Sequence, residues 1–388
     1  MVKRRFIVSH CSSIVFFFAL SACSSTTSQT ADPIINQTTQ AEITDKTLSP
    51  FQFNQGLQQD LNNNNSAGLQ SKIDVLSIAK QLRNIQSTQF SNPLVTAKTA
   101  ADLKQQLVSG MLELSTSFTW RYLHSEEKAD NKLAAYYRIE SEGGYSYVTF
   151  WLEQDSYKIY DFHPVSFYYS ALDFVGEFTQ LFSKYSHKQG QLSNLILAIQ
   201  KNQWDKTISL YQAIDADIKA EPALNDFLLR KYSQMQGDNP QFTNVLMSAF
   251  EQQGLSSLLF ESLYIQQDNF NQAIKMVEGL PQYARQDSKM LSELAILHAY
   301  NQDFRSAILF GRQSIMAGPN ENEAYIVLLQ VSLLAKDYAL SIELMDVLSS
   351  KFNFLMGQGV IAEFDESDTF LRSDEYKLWL EKHSTNKS

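Results

Sequence analysis

Apolar residues between Phe260 and Ile342 recur at a spacing of 34. Phe260, Leu294 and Leu328 form one such series, Phe270, Phe304 and Tyr338 a second, and Ile274, Ile308 and Ile342 a third. Small residues keep the same register at Ala273, Ala307 and Ser341. A period of this length holds two helices of three to four turns and the two bends that join them. One such hairpin cannot bury its apolar side alone, so hairpins must stack, and small residues at the crossings let neighbouring backbones approach. The pattern predicts helix pairs at 255–266 with 268–280, 287–300 with 302–316, and 321–335 with 336–349. Trp204 and Ile208 precede Phe270 and Ile274 by nearly two periods, which predicts a further hairpin over Leu192–Ile214. A degenerate one would follow, with its second helix near Phe242–Phe250. The helical region is read as residues 190–360. The tail, 361–388, is predicted to close the stack, with Ser373 capping a helix whose first turn holds Asp374 and Glu375 and whose Tyr376 and Trp379 pack back.

The turns Gln302-Asp303-Phe304 and Lys336-Asp337-Tyr338, with Pro319 after the middle pair, resemble the tetratricopeptide repeat. The usual first-helix Trp is missing, and Gly311 stands where an aromatic is usual. The resemblance implies an α-solenoid whose first helices line a peptide-binding groove. By the family register Leu258, Ser262, Ser292, Ile296, Ile326 and Gln330 face it. The basic clamp that some relatives use for a free carboxylate has no counterpart at these positions. The same positions could act as spacers, or be covered by another part of the chain.

Residues 71–187 have a different pattern. Val75, Ile78, Leu82 and Ile85 make one helical stripe, and Leu103, Leu107, Met111 and Leu114 another. Alternating segments follow: Phe118, Trp120 and Tyr122; then Leu133, Ala135, Tyr137 and Ile139; then, after Glu142-Gly143-Gly144, Tyr145, Tyr147, Thr149 and Trp151. Asp155-Ser156 turns the chain into Tyr157–Phe162, and an aromatic-rich helix is predicted over Ser166–Ser183. Helices followed by an antiparallel meander make an α+β layer fold. The runs Tyr136-Tyr137-Arg138, Gly143-Gly144-Tyr145-Ser146-Tyr147 and Lys158-Ile159-Tyr160-Asp161 are similar to a bacterial group with a nuclear-transport-factor-two-like (cystatin-type) cone ahead of helical repeats. The fold class expected for the whole chain is therefore α+β, then all-α.

The amino terminus reads as an export signal. Lys3, Arg4 and Arg5 precede a short apolar run ending at Leu20, too short to span a bilayer. Leu20-Ser21-Ala22-Cys23 resembles the lipobox of bacterial lipoproteins. The resemblance implies removal of residues 1–22 and lipidation of Cys23. Ser24, in place of the Asp that resembles an inner-membrane retention signal, points to an outer-membrane anchor facing the periplasm. Residues 23–70 are rich in Ser, Thr, Gln and Asn and are read as the lipidated cysteine and a flexible linker. Only Cys11 and Cys23 occur, so the mature chain would have no free thiol, disulfide or cysteine nucleophile. Cleavage removes three of the 32 basic residues and none of the 42 acidic ones, taking the formal charge from −10 to −13. Such a balance disfavours nucleic acid.

No phosphate loop, dinucleotide fingerprint, zinc-protease helix or nucleophile elbow is present. No catalytic residue, metal ligand or cofactor is assigned. His298 is read as a packing histidine. One polar group in the meander, Asp161 and His163 with Glu140 and His124 on neighbouring strands, has the residue types for proton transfer. The expected function is a membrane-anchored, non-enzymatic scaffold that binds another cell-envelope protein through its repeats. The alternative is a small-molecule binder or acid–base enzyme that uses the cone. The two differ in whether the cone interior is open or filled by Trp120, Tyr137, Tyr147 and Trp151.

Overall fold

The computed structural model describes residues 48–85, 88–129, 131–141, 144–234, 239–255 and 257–384. Residues 1–22, Cys23 and the chain to residue 47 lie outside the described residues, as does Glu142-Gly143. The described residues form two compact units, 48–255 and 257–384. The expected boundary between 187 and 190 therefore falls inside the first unit.

That unit begins with four helices: α1 (Pro50–Asn62), α2 (Ser66–Lys72), α3 (Val75–Asn84) and α4 (Pro93–Ser115). Each has a side-chain cap, from Ser49, Asn65, Asp74 and Asn92 in turn. The linker expected over 23–70 is thus corrected: from Pro50 onward it is helical and packed. Phe53, Asn54, Leu57 and Leu61 share the buried side of α1. Its amides are used structurally. Tyr137 Oη donates to Asn54 Oδ1 at 2.8 Å and to the Asn54 carbonyl at 3.0 Å. Asn62 Oδ1 accepts from Trp120 N at 2.7 Å while its Nδ2 donates to Trp120 O at 3.0 Å, and Gln58 Oε1 accepts from Tyr122 N at 2.6 Å. Side-chain amides therefore complete the backbone bonding of a strand edge that would otherwise be open.

That strand is β1 (Thr119–Lys128); β2 (Lys132–Ser141), β3 (Gly144–Glu153) and β4 (Ile159–Pro164) follow. The described strands make one antiparallel sheet in the order β1-β2-β3-β4. Tyr137 pairs with Tyr122 and Val148, and Ala135 with Phe150, so Trp120, Tyr137, Ile139, Val148, Phe150 and Leu152 join the helix-side core. Trp120 stacks on Phe150 at 6.0 Å, and Tyr137 meets Phe150 edge-on at 5.2 Å. Tyr145, Tyr147 and Thr149 alternate to the opposite face, level with Glu140, Arg138 and Tyr136. The space between sheet and helices is thus filled, by Trp120, Tyr137 and Phe150; Tyr147 is buried on the other face.

Helix α5 (Ala171–Lys184) follows the sheet, capped by Ser170. Then come α6 (Gln189–Gln200), α7 (Trp204–Ala213), the short α8 (Ala216–Lys219), α9 (Pro222–Gln234) and α10 (Pro240–Gln252). A buried ion pair ties α9 to the segment before α5. Arg230 Nε donates to Asp226 Oδ2 at 2.7 Å, and Arg230 Nη2 to the Tyr169 carbonyl at 2.7 Å. Asp226 Oδ1 accepts from Tyr168 N at 2.7 Å. The guanidinium carbon lies 4.5 Å from the ring centroids of both Phe167 and Phe174.

The second unit contains a 3-10 turn (Leu258–Phe260), α11 (Glu261–Gln266), α12 (Phe270–Glu278), α13 (Gln282–Arg285), α14 (Ser288–Tyr300), α15 (Phe304–Ala317), α16 (Asn322–Leu334) and α17 (Tyr338–Phe352). Three short helices end it: α18 (Gln358–Ile361), α19 (Ser367–Phe370) and α20 (Asp374–Ser384). The 34-residue period is visible in the backbone. Asp268, Gln302 and Lys336 are left-handed, with φ of 58°, 64° and 57°, and the next amide bonds back to the carbonyls of Tyr264, His298 and Ser332. Asn269, Asp303 and Asp337 then cap the second helix of each pair. In the first unit Asn202 makes the same turn between α6 and α7, with φ of 54°. Ala273, Ala307 and Ser341 are all fully buried. Gly311 has a local reason: a Cβ there would lie 2.6 Å from Leu328 Cδ1, so α15 and α16 pack through a missing side chain.

Two outcomes follow for stability. Removing one partner of the buried pair, as Asp226→Ala, should cost about 3–5 kcal/mol in urea unfolding, whereas Asp226→Leu with Arg230→Met should recover most of that loss. A loss below about 1 kcal/mol for the single variant would show that the pair does not hold the unit together. Gly311→Val should cost about 1–3 kcal/mol through overpacking, and less in a Leu328→Ala background, as read by a double-mutant cycle.

Candidate functional site

The six residues assigned to the repeat groove do not line an open surface. Leu258, Ser292, Ile296 and Gln330 are buried; Ser262 and Ile326 are half-buried. Ser292 Oγ lies 2.7 Å from Ser314 Oγ, inside the α14–α15 hairpin. Gln330 pairs with the backbone of Asp365, accepting from its amide at 3.0 Å and donating to its carbonyl at 3.3 Å. Tyr300 Oη donates to Asp365 Oδ2 at 2.5 Å. Ile361, Phe364, Phe370, Tyr376 and Trp379 join the cluster that contains Ile296, Leu328 and Val331. At Gln330 and Ile296, therefore, the chain's own C-terminal segment occupies the side where a peptide was expected.

His298 packs within the hairpin. Its ring stacks on Phe310 at 5.2 Å, and Nδ1 lies 3.2 Å from Asp303 Oδ2. The outward side of α15 differs from the buried one. Arg305, Leu309, Arg312 and Met316 are exposed at spacings of four, three and four, which places them along one helix face. Leu309 is 54% exposed and Met316 80%. Neither arginine is in an ion pair with a described residue. The spacing was readable from the sequence; that this face remains outside was not.

The polar residues of the meander do not assemble into one constellation. His124, Tyr136, Thr149 and His163 form a row across the four strands, which puts about 14 Å of backbone between the two histidines. His163 Nε2 bonds to the Phe167 carbonyl at 2.9 Å, and burial holds its pKa below the usual histidine value. Glu140 sits 3.1 Å from Arg138 Nε. Among the described residues, no hydrogen bond or ion pair joins any two of Asp161, His163, Glu140 and His124.

Asp161 is nonetheless chemically distinctive. Its Oδ1 accepts from Phe162 N at 2.8 Å and Leu172 N at 3.0 Å, which fastens the start of α5 to β4. Burial, with the nearby charge of Asp173, pushes its pKa up to about 7 against the pull of hydrogen bonds from Ser170, Leu172 and Phe162. It lies in an open cleft of about 590 Å³ at the end of the sheet. Tyr160 and Leu172 also line the cleft, with Trp151 opposite Asp161 in the ladder. Lys128, Lys132 and Asp173 bring charge to it. Nothing in the sequence alone joined Lys132 to Asp161, because strand register and the start of α5 create this cleft.

Among the described residues no group of three or more His, Cys, Asp or Glu is placed to hold a metal ion. No described helix is long and apolar enough to cross a membrane. Comparison of the chain with protein-family models, curated proteins and solved structures gives no match.

The Asp161 carboxyl has a stability consequence with a defined sign. Its folded pKa lies above the unfolded one, so the folded state holds the extra proton between about pH 4 and 7 and stability falls as pH rises through that window. Asp161→Asn should remove this component. Its unfolding free energy relative to wild type should rise between pH 4.5 and 7.5, by about 1.4 kcal/mol for each unit of pKa shift. Parallel profiles for the two proteins would show that Asp161 does not titrate in this way.

Proposed function

We propose that this protein is a lipid-anchored scaffold of the bacterial envelope, held at the outer membrane through Cys23 and facing the periplasm. Its helix hairpins are read as tetratricopeptide-like repeats that engage another envelope protein, with no catalysis. The α+β layer at residues 71–187 is read as a cone of the nuclear-transport-factor-two-like type. The lipobox-like Leu20-Ser21-Ala22-Cys23 supports the anchor. The recurring left-handed turn and cap at Asp268-Asn269, Gln302-Asp303 and Lys336-Asp337 support the repeat assignment.

The observation that carries the binding role is the exposed face of α15. Since the chain itself covers Ile296 and Gln330, the docking surface is moved to Arg305, Leu309, Arg312 and Met316. Two apolar side chains alternating with two arginines suit a partner helix that offers apolar and acidic residues at matching spacing. Such a ridge on an acidic chain also selects against basic partners.

In-cell cross-linking of the tagged, full-length protein tests this reading. Wild type should capture an envelope protein, and Leu309→Asp with Met316→Asp should lose it while retaining its fold. Cys23→Ser should leave the membrane fraction. Unchanged capture by the α15 variant would exclude this face, and membrane retention of Cys23→Ser would exclude the anchor.

A further inference from the structure

The cleft over Asp161 is independent of the repeat surface and of any protein partner. We infer that it binds a short peptide of two or three residues with free termini, its ammonium group toward Asp161 and Asp173 and its carboxylate toward Lys132. Among the residues that line the cleft, the charges are separated in the required sense. Asp161 is on β4 and Asp173 is in the first turn of α5, whereas Lys132 is at the start of β2. Lys132 pairs across the sheet with Glu153, and Asp161 pairs with Trp151. The two cleft residues are therefore two strands and one two-residue step apart, about 12 Å between their Cα positions. At about 3.3–3.6 Å per extended residue, the termini of a di- or tripeptide can approach both groups at once, whereas those of a single amino acid are too close together to do so.

The remaining lining fits the same ligand. Trp151 is half-buried and Leu172 buried, and both line the cleft, so an apolar peptide side chain has a surface to cover. A volume of about 590 Å³ lies in the range of small-ligand sites. Lys132 makes no ion pair with a described residue, its ladder neighbour Glu153 included, whereas Lys128 is held by Glu126 at 2.6 Å. Asp161 is buried and already carries two backbone amides. An ammonium group placed beside it would favour the ionised form of its carboxyl.

The test uses the full-length protein and the dipeptide Ala-Leu, followed by calorimetry and by tryptophan fluorescence with Trp151→Phe as the reference. Ala-Leu should bind in the micromolar to low-millimolar range. N-acetyl-Ala-Leu, Ala-Leu-amide and free leucine should each bind at least tenfold more weakly. Lys132→Ala and Asp173→Asn, both at solvent-accessible positions and checked for unchanged melting, should each weaken Ala-Leu at least tenfold. No Ala-Leu binding by folded wild type at 10 mM, or equal binding of the capped peptides, would overturn the inference. Loss of α15 cross-linking with dipeptide binding intact would reject only the scaffold surface, so the two failures are distinguishable.

Discussion

The pair Asp226–Arg230 is the interaction on which the first unit depends. A charged pair taken out of water is costly, and hydrogen bonds from each partner to the surrounding chain offset much of that cost. Here Asp226 holds the Tyr168 amide, Arg230 holds the Tyr169 carbonyl, and the guanidinium is sandwiched by Phe167 and Phe174. These contacts are specific to one arrangement of α9 against the β4–α5 segment. They make a helix from the repeat-like part of the chain inseparable from the α+β layer. That is why a change in sequence pattern near residue 188 does not coincide with a boundary between compact units.

The same segment positions the cleft. Asp161 accepts from the amides of Phe162 in β4 and Leu172 in the first turn of α5, and Ser170 caps α5. With α5 fixed at one end by Asp161 and along its length by α9, Leu172 and Asp173 are held at the cleft wall. Burial of Asp161 therefore serves the fold first. A charge-sensitive group facing a cleft is a by-product of closing the end of a sheet. In the second unit the corresponding economy is the C-terminal segment, whose Phe364, Phe370 and Tyr376 join the core formed by α14, α16 and α17, with Phe370 against Tyr338.

Sequence and structure part company at the amides. Asn54, Gln58 and Asn62 read as solvated linker residues because polar composition with Ser and Thr usually signals an unfolded tether. In the structure they bond Tyr137 and the edge of β1. Their partners lie 58 to 83 residues away, beyond any local pattern. The six groove residues show the reverse case. Their register along the helices was legible, but which molecule covers that side was not. The C-terminal segment that reaches Gln330 is 35 residues distant and has no periodic relation to it.

By itself the sequence determined the helix hairpins and the sheet strands. Periodicity is local: the 34-residue spacing fixes where a hairpin turns, and the alternation at Leu133–Ile139 fixes a strand, because each backbone admits only one side-chain period. The tertiary structure alone decided that α1 closes a strand edge, that α9 is locked to the β4–α5 segment, that Asp365 of the C-terminal segment bonds Gln330 in the expected groove, and that Lys132 and Asp161 share a cleft. All four depend on contacts between distant residues, whose formation is set by competition for buried surface and hydrogen-bond partners rather than by any pattern along the chain.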